Sequence, residues 1–445
     1  MMNATESDTT VDVFTGVAST YEDLYAMLLF CLIMFLLGDV FCKRCLKVVP
    51  PLVGYILTGI LLGPEGFDLV PVPKAWVLLG NLGLVLLMVQ AGLEMDLAIL
   101  QQVGARGFVM AIVGSILPIS IGMFLSKFVL RQSGNTVIAM GCCFGPTSVG
   151  IALQVLGPCA VLETPLGQLI VAAAIVDDLI ALLMLSQLEA LTGNITVTQI
   201  VVPIVSAFLW LFVGGAVALW VVPVIRKWMW HQIPSLQDEN NNTVLLMTLL
   251  GLVFALLPAT YYSQASYLLG AFLAGLSFCQ ESIQKVYRQQ FQRLLTWLMK
   301  FFFAATIGFQ VPLSEFQNGR VLRNGCLLYL SLVGKLAVGP IFTPCWEGRR
   351  WRGNHLRDCA VVGFSMAGEA EFAFLVAVFG VTEQLIPPDL YASVVLAILL
   401  STILSPVMLR TLLAVYPMTP KMGQDSSNGE HKSIQSERKE SEDTG

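Results

Sequence analysis

The sequence predicts an all-α polytopic membrane protein with about 13 transmembrane helices. Three observations support this prediction. Apolar residue types make up 56% of the 445 residues and charged types 12%, whereas a soluble domain is about 25% charged. Apolar stretches close to the roughly 20 residues that cross a bilayer recur along the chain. Two of these stretches are interrupted in the middle by Pro or Gly residues.

The apolar stretches also predict the domain organisation. We expect a polar N-terminal segment at 1–23, a membrane domain at 24–416 and a disordered cytoplasmic tail at 417–445. The predicted membrane segments, numbered 1 to 13 in chain order, are 24–41, 48–63, 75–93, 105–128, 134–157, 164–189, 197–225, 243–258, 265–281, 294–312, 322–345, 358–381 and 389–415.

Charge and histidine content argue against several classes of function. The net charge is −5, so no broad basic surface invites nucleic acid as a partner. The chain has 3 histidines, which argues against a histidine-ligated catalytic metal. No arrangement of nucleophile and base is visible in the sequence. We therefore expect neither an enzyme nor a bound cofactor, and the expected surroundings are the lipid bilayer.

The loop charges predict an orientation in the membrane. Successive loops lie on opposite sides of the membrane, and most of the loop Lys and Arg residues fall in one of the two sets of loops, as at Lys43, Arg226 and Arg349. The other set contains fewer, among them Lys74 and Arg320. Basic loops stay on the cytoplasmic side. The N-terminus is then outside or lumenal and the C-terminus cytoplasmic. Either the plasma membrane or an organelle membrane fits this pattern.

A weak internal repeat links the two halves of the chain. Segment 2 reads YILTGILLGPEGF from Tyr55, and segment 9 reads YLLGAFLAGLSF from Tyr267. Segment 3 ends with GLEMDLAIL from Gly92, and segment 10 ends with GFQVPLSEF from Gly308. Related segments lie seven helices apart. Because seven is odd, the two repeats must be inverted in the membrane. The alternative is a chance likeness between Gly-rich apolar helices.

Segments 5 and 12 occupy corresponding positions in the two repeats, and both are interrupted. Segment 5 contains Gly145 and Pro146, and segment 12 contains Gly368. Proline removes a backbone N–H and clashes with the preceding helical turn. Half-helix ends leave N–H and C=O groups that need polar partners. Broken helices at matching positions are typical of the central binding site of a secondary transporter.

Two adjacent carboxylates lie in the middle of segment 6. Asp177 and Asp178 stand inside VAAAIVDDLIALLML. A single carboxylate at a helix centre costs roughly 2.5–3.5 kcal/mol on insertion scales, so the pair indicates a functional site. Neighbouring helical residues point about 100° apart. One carboxylate could therefore face a fixed cation and the other a mobile one. A helix shifted so that both reach the interface is the alternative.

Other polar residues at membrane depth complete the predicted site. Lys335 lies deep inside segment 11 and is the candidate fixed cation, unless it only extends to the interface. Glu369 and Glu371 stand in the break of segment 12, where a carboxylate compensates a helix N-terminus or binds an ion directly. Thr147 and Ser148 offer hydroxyl oxygens for a monovalent cation, or they cap the half-helix.

The chain resembles the monovalent cation:proton antiporter superfamily, in particular its second branch with a sodium/hydrogen exchanger-like membrane domain. The resemblance covers roughly 24–416. It is carried by the order and spacing of six motifs, which are GYILTGILLGP, LLMVQAGLEMD, GPTS, the Asp177-Asp178 pair, FFFAATIGF and GEAEFAF.

The resemblance implies a fold of two inverted six-helix repeats, joined by segment 7 and containing two interrupted, crossing helices. Segments 4–6 and 11–13 would form a mobile core, and segments 1–3 and 8–10 a dimerising scaffold. It implies alternating access, in which the core moves past the scaffold, and a homodimer. No nucleotide-binding regulatory domain is expected, because no G-x-G-x-x-G follows Tyr416.

The resemblance also assigns roles to individual residues. Asp178 matches the essential ion-binding aspartate, and Asp177 matches its neighbour. Lys335 matches the lysine that pairs with Asp177. Glu371 matches the buried glutamate of the second interrupted helix. Na⁺ or K⁺ would bind at Asp178, and the sequence does not choose between them.

The leading functional hypothesis is a secondary antiporter that exchanges protons for a monovalent cation. The cation and the proton would compete for Asp178. The alternative is a sodium-coupled symporter of an organic anion on the same architecture. Such a symporter has no evident need of the Asp177, Asp178 and Lys335 set. A channel, or a sensor that does not transport, fits the isolated charges less well.

Overall fold

A computed structural model describes 21–46, 49–95, 97–148, 155–157, 161, 164–190, 197–225, 242–279, 283–309, 311, 313–344, 354–369 and 371–416. Within these residues every secondary-structure element is helical, which confirms the predicted all-α class. Residues 1–20 of the expected N-terminal segment and the whole expected tail at 417–445 lie outside the described residues.

The helices of the first half are α1 (Tyr21–Met34), α2 (Pro51–Leu62), α3 (Pro73–Leu93), α4 (Leu97–Phe124), α5 (Asn135–Cys142), α6 (Pro165–Ala190) and α7 (Val197–Leu209). Wider π-helical turns extend α1 through Phe35–Leu46, α4 through Leu125–Val129, and α7 through Trp210–Gly214 and Val217–Val221. Proline begins α2 and α3, where the missing N–H has no helical partner to lose.

The helices of the second half are α8 (Asn242–Tyr262), α9 (Tyr267–Leu276), α10 (Ile283–Trp297), α11 (Ala305–Phe309), α12 (Gly319–Tyr329), α13 (Val333–Phe342), α14 (Asn354–Met366), α15 (Glu371–Thr382) and α16 (Pro388–Val415). The π-helical Leu298–Ala304 joins α10 to α11, and the 3₁₀ turn Leu330–Leu332 joins α12 to α13.

Length and hydropathy support a multi-pass membrane protein. Of the described stretches, 9 are long and apolar enough to cross a membrane, and α2 and α9 are shorter apolar helices. Among the described residues, predicted segment 5 contains the short α5 and helical residues at 155–157, and segment 10 is a chain of short helical pieces. The count of 13 predicted segments therefore stays a prediction.

One boundary differs from the sequence prediction. The sequence predicts that segment 8 ends at Pro258 and that PATYYSQAS (258–266) forms a turn, whereas α8 continues through Pro258 to Tyr262. The chain turns instead at Gln264, whose φ of 62° lies in the left-handed region. A proline inside a membrane helix is tolerated where neighbouring groups satisfy the freed backbone. Pro258 therefore lies inside α8 and does not end it.

The helices pack in two groups. In the scaffold group, α3 packs on α9 and α2 packs on α11. In the core group, α4 packs on α6 and α13, α12 packs on α16, and α13 packs on α14. The inverted repeat of segments 1–3 with 8–10 and 4–6 with 11–13 stays a prediction.

Close backbone contacts at glycines join the scaffold helices. A Cβ at Gly275 would lie 2.1 Å from the Val89 carbonyl oxygen on α3, and a Cβ at Gly92 would lie 2.1 Å from the Phe272 carbonyl oxygen on α9. Between α2 and α11, a Cβ at Gly59 would lie 2.0 Å from the backbone oxygen of the partner helix. Small residues allow such approach between membrane helices.

The variant Gly275→Ala should lower the unfolding temperature of the detergent-purified protein. Its methyl group meets backbone that cannot rotate away, and overpacking of this kind costs about 1–3 kcal/mol. The matched control is Gly251→Ala on α8, where nothing lies within 4 Å of the added Cβ. That control should be neutral or stabilising, because alanine is the better helix former. Equal melting temperatures for the two variants would contradict the close packing of α3 on α9.

Candidate functional site

The two interrupted helices meet at their breaks. In the first, α5 ends at Cys142 and the chain is non-helical through Ser148. In the second, α14 ends at Met366 and α15 begins at Glu371. The backbone N–H of Ser148 donates a hydrogen bond of 2.7 Å to the carbonyl oxygen of Gly368. The free backbone groups of one break thus partly satisfy those of the other.

Lys335 on α13 joins the two breaks. Its side chain is fully buried. The ammonium group donates to the Pro146 carbonyl oxygen, in the non-helical chain after α5, and to Thr147 Oγ1 at 3.0 Å. Lys335 Nζ also lies 3.6 Å from Glu369 Oε1 on the other break. A buried ammonium needs such anionic and polar partners to offset its desolvation.

This arrangement differs from the pairing that the family resemblance implied. Among the described residues, the carboxylate within 4.0 Å of Lys335 Nζ is that of Glu369 and not that of Asp177. Asp177 still attracts Lys335 electrostatically from a greater distance. Thr147 separates them, since it accepts from Lys335 and lies next to Asp177.

The two aspartates of α6 have different surroundings. Asp177 is fully buried, and its Oδ1 forms a hydrogen bond with Ser115 Oγ of α4. Its Oδ2 lies outside strict hydrogen-bonding geometry, but the hydroxyl and the backbone N–H of Thr147 face the carboxylate and stabilise its charge. Asp178 is partly exposed. The carboxylates of Asp177 and Glu371 are close enough to repel that of Asp178 electrostatically. Asp178 therefore lies in a field that favours a cation.

The two glutamates of the second break also differ. Glu369 is fully buried, and neither of its carboxylate oxygens has a hydrogen-bond partner among the described residues. Glu371 is the first residue of α15 and lies in its first turn. A carboxylate there stabilises the positive end of the helix dipole. Glu369 thus lies beside Lys335, while the charge of Glu371 acts on Asp178.

Hydroxyl groups on α16 hold the second break in place. Ser401 Oγ accepts from the Glu369 backbone N–H at 3.0 Å and donates to the Ala367 carbonyl oxygen at 2.9 Å. Thr402 Oγ1 donates to the Glu369 carbonyl oxygen at 2.7 Å. These side chains replace the helical hydrogen bonds that the interruption removes.

Sequence reasoning missed three of these residues, Ser115, Ser401 and Thr402. A Ser or Thr in an apolar helix commonly bonds back to the carbonyl four residues earlier, and the hydroxyls of Ser115 and Thr402 also lie within hydrogen-bond distance of the Ala111 and Ile398 carbonyl oxygens. Their sequence context therefore does not distinguish a hydroxyl that serves the site from one that serves only its own helix.

The site carries an excess of negative charge. Four carboxylates, those of Asp177, Asp178, Glu369 and Glu371, stand against the single ammonium of Lys335. Burying unpaired ionised carboxylates is too costly to sustain, so protons or cations must share this site. No group of three carboxylate, His or Cys side chains in the described part of the chain could hold a metal ion together. A bound cation would therefore also use hydroxyl or carbonyl oxygens.

The double variant Ser401→Ala/Thr402→Val should destabilise the second break. It leaves the buried N–H and C=O of Glu369 without partners, at about 1–3 kcal/mol for each unsatisfied group. We expect a lower unfolding temperature in detergent. Ser120→Ala is the control, because its exposed hydroxyl bonds only to Ile116 of its own helix. An unchanged melting temperature in the double variant would mean that α16 does not hold the break.

Known proteins with similar sequences and folds are ion transporters. The chain is 28% identical over 372 residues to a Na⁺/H⁺ antiporter of Enterococcus hirae, covering 81% of this chain and 91% of that protein. It is 23% identical over 367 residues to the Na⁺/H⁺-K⁺ antiporter GerN of Bacillus cereus, covering 81% and 89%.

A solved structure shares the fold. The sodium proton antiporter MjNhaP1 of Methanocaldococcus jannaschii superposes with a TM-score of 0.65 and 16% identity, covering 89% of this chain and 99% of that one. The profile described as the transmembrane sodium/hydrogen exchanger matches residues 27–415. The chain therefore belongs to the sodium/hydrogen exchanger family.

Proposed function

We propose that the protein is a secondary active antiporter that exchanges protons for a monovalent cation by alternating access. The observation that carries this proposal is the cluster of four carboxylates and one ammonium group at the crossing of the two breaks. Such a cluster needs positive charge from outside the protein, and protons and alkali cations both supply it.

Competition for one carboxylate couples the two fluxes. Asp178 is the partly exposed member of the pair on α6, so it is the group that a hydrated ion reaches first. When Asp178 binds a cation it has no place for a proton, and when it is protonated it no longer attracts a cation. Each ion therefore leaves only when the other replaces it. Thr147 and Ser148 provide hydroxyl and backbone oxygens beside the crossing.

Movement of the core group past the scaffold group would expose the site to each side in turn. Two buried hydrogen bonds cross between the groups. Ser186 Oγ of α6 accepts from the backbone N–H of Ser266 at 2.9 Å, and the Tyr391 hydroxyl of α16 donates to the Ile307 carbonyl oxygen at 2.9 Å. Both are contacts that such a movement must break and replace.

The names of the similar proteins indicate which cations to test. One is named for Na⁺ and H⁺, and the other for Na⁺, H⁺ and K⁺. We propose Na⁺ or K⁺ as the exchanged cation. We further propose a homodimer formed by the scaffold group, with the N-terminus outside or lumenal and the C-terminus cytoplasmic, as the loop charges favour.

Transport into liposomes tests the proposal. The purified protein is reconstituted with a trapped pH-sensitive dye, a proton gradient is imposed, and NaCl, KCl, LiCl or choline chloride is added. We expect the fluorescence of the dye to recover when an alkali cation is added and not when choline is added. No response to any alkali cation would overturn the antiport proposal and direct attention to a sodium-coupled organic-anion symporter.

A further inference from the structure

Two hydrogen bonds between the core group and the scaffold group share one chemistry. In each, a core side chain binds a backbone group at the end of a scaffold helix. Ser266 is the N-cap of α9, and its N–H donates to Ser186 Oγ of α6 at 2.9 Å. Ile307 lies in the last turn of α11, and its carbonyl oxygen accepts from the Tyr391 hydroxyl of α16 at 2.9 Å. Backbone groups at helix ends lack intrahelical partners, so the core supplies partners that the scaffold helices do not provide themselves.

Both contacts are buried. All four residues are shielded from solvent, so in this arrangement water does not reach the two backbone groups. A buried N–H or C=O that loses its partner is costly unless water replaces that partner. The two contacts therefore favour the arrangement of core and scaffold in which they form, and each can break only when water enters between the two groups.

Both contacts lie on the same side of the membrane. The end of α6 and the start of α16 belong to one hydrophobic cluster, to which scaffold helices also contribute, as with Leu188, Leu390 and Leu268. The start of α6 and the end of α16 belong to a second cluster, as with Leu166 and Leu413. Among the described residues, this second cluster consists of core helices and the chain between them. Thus α6 and α16 run in opposite directions, and the core is packed onto the scaffold at the end where the two contacts lie.

We propose that these two contacts, Ser186 with Ser266 and Tyr391 with Ile307, form a gate that closes the central site on this side of the membrane and opens as a unit. This inference rests on the proposed function. Because the core helices move together in alternating access, the two contacts must break in the same step. Their strength sets how rarely the site faces this side, which is the outer or lumenal side in the proposed orientation.

Hydrogen–deuterium exchange at the Ser266 amide tests whether the two contacts open together. The purified full-length protein is compared with Tyr391→Phe, which removes the hydroxyl that binds the Ile307 carbonyl oxygen. We expect exchange at Ser266 to be about tenfold faster, which corresponds to about 1.4 kcal/mol and therefore to the cost of one buried group without a partner. The hydrogen bond that this variant removes does not involve Ser266, so a shared opening must transmit the effect.

The matched control is Tyr287→Phe. The Tyr287 hydroxyl also donates to a buried backbone carbonyl, that of Leu86 on α3 at 2.7 Å, but this bond does not cross to the core. We expect a similar loss of stability with unchanged exchange at Ser266. Unchanged exchange at Ser266 in Tyr391→Phe, or equal acceleration in both variants, would overturn the proposal.

A second test measures cation-dependent proton flux in right-side-out and inside-out membrane vesicles. When only a fraction of the molecules exposes the site to one side, the apparent affinity for a cation from that side is reduced by that fraction. In Tyr391→Phe we therefore expect the KM for a cation supplied from the gate side to fall several-fold, and the KM from the opposite side to change little. An equal change in the two values, or no change on the gate side, would contradict the gate.

The two tests separate the possible failures. A wild-type protein without cation-dependent proton flux would refute the proposed function, while the exchange comparison still shows whether the two contacts open together. If Tyr391→Phe does not fold, Ser186→Ala removes the other contact and should give the same one-sided fall in KM. Its control is Ser393→Ala, because the Ser393 hydroxyl donates to the Asp389 carbonyl oxygen of its own helix at 3.1 Å, and this control should leave both KM values unchanged. An unchanged KM on the gate side in Ser186→Ala would count against the gate.

Discussion

Replacing Asp178 by asparagine should abolish cation-dependent proton exchange in liposomes and leave the protein folded. The amide has nearly the shape of the carboxylate, but it carries no charge and takes up no proton near neutral pH. It can therefore neither bind the cation nor carry the proton. Asp178 is repelled by Asp177 and Glu371, so removing its charge also relieves repulsion. The melting temperature should be equal to that of the wild type or higher.

Asp389→Asn is the matched control for this substitution. Asp389 is an exposed aspartate in the first turn of α16, away from the crossing. Its replacement should preserve exchange, with at most a small loss of helix-dipole stabilisation. Dye recovery is measured for both variants at equal protein content. Full exchange by Asp178→Asn would show that another group carries the ions.

The substitution Lys335→Gln should cause the largest loss of stability of any single change at the site. It leaves the carboxylates without their only ammonium group among the described residues. Breaking a buried ion pair by removing one partner costs about 3–5 kcal/mol. It also removes the donor to Pro146 and Thr147. We expect a clearly lower melting temperature and loss of exchange.

An exposed lysine provides the control for Lys335→Gln. Lys127 lies at the end of α4, with its ammonium over the ring of Phe128. Surface contacts of this kind contribute about 0.5–1 kcal/mol, so Lys127→Gln should change the melting temperature little. If Lys335→Gln were as stable as this control, the buried ammonium would not be compensating the carboxylates.

Sequence reasoning located the two breaks because proline and glycine act on the backbone locally. Pro146 cannot donate to the preceding turn, and the structure shows non-helical chain there and around Gly368. The all-α class followed from composition, since a bilayer admits helices whose backbone groups are satisfied internally. The same local rule gave a wrong boundary at Pro258, where the rest of the helix continues through the proline.

The partner of Lys335 could not be predicted from the sequence. Asp177 and Glu369 are both acidic and lie on different helices, so the choice between them depends on how the breaks cross. The hydroxyl groups of Ser115 and Ser401 gave no signal either, because their role depends on neighbours far away in the chain. Tertiary contacts, unlike helix interruptions, are not encoded in local residue patterns.

Proton release on cation binding tests the central claim most directly. NaCl, KCl or choline chloride is added to the purified protein in weakly buffered detergent solution that contains a pH indicator, near neutral pH. Competition at Asp178 predicts that an alkali cation releases protons, that choline does not, and that Asp178→Asn releases none. Cation binding without proton release, detected as a rise in melting temperature at constant pH, would contradict the shared carboxylate.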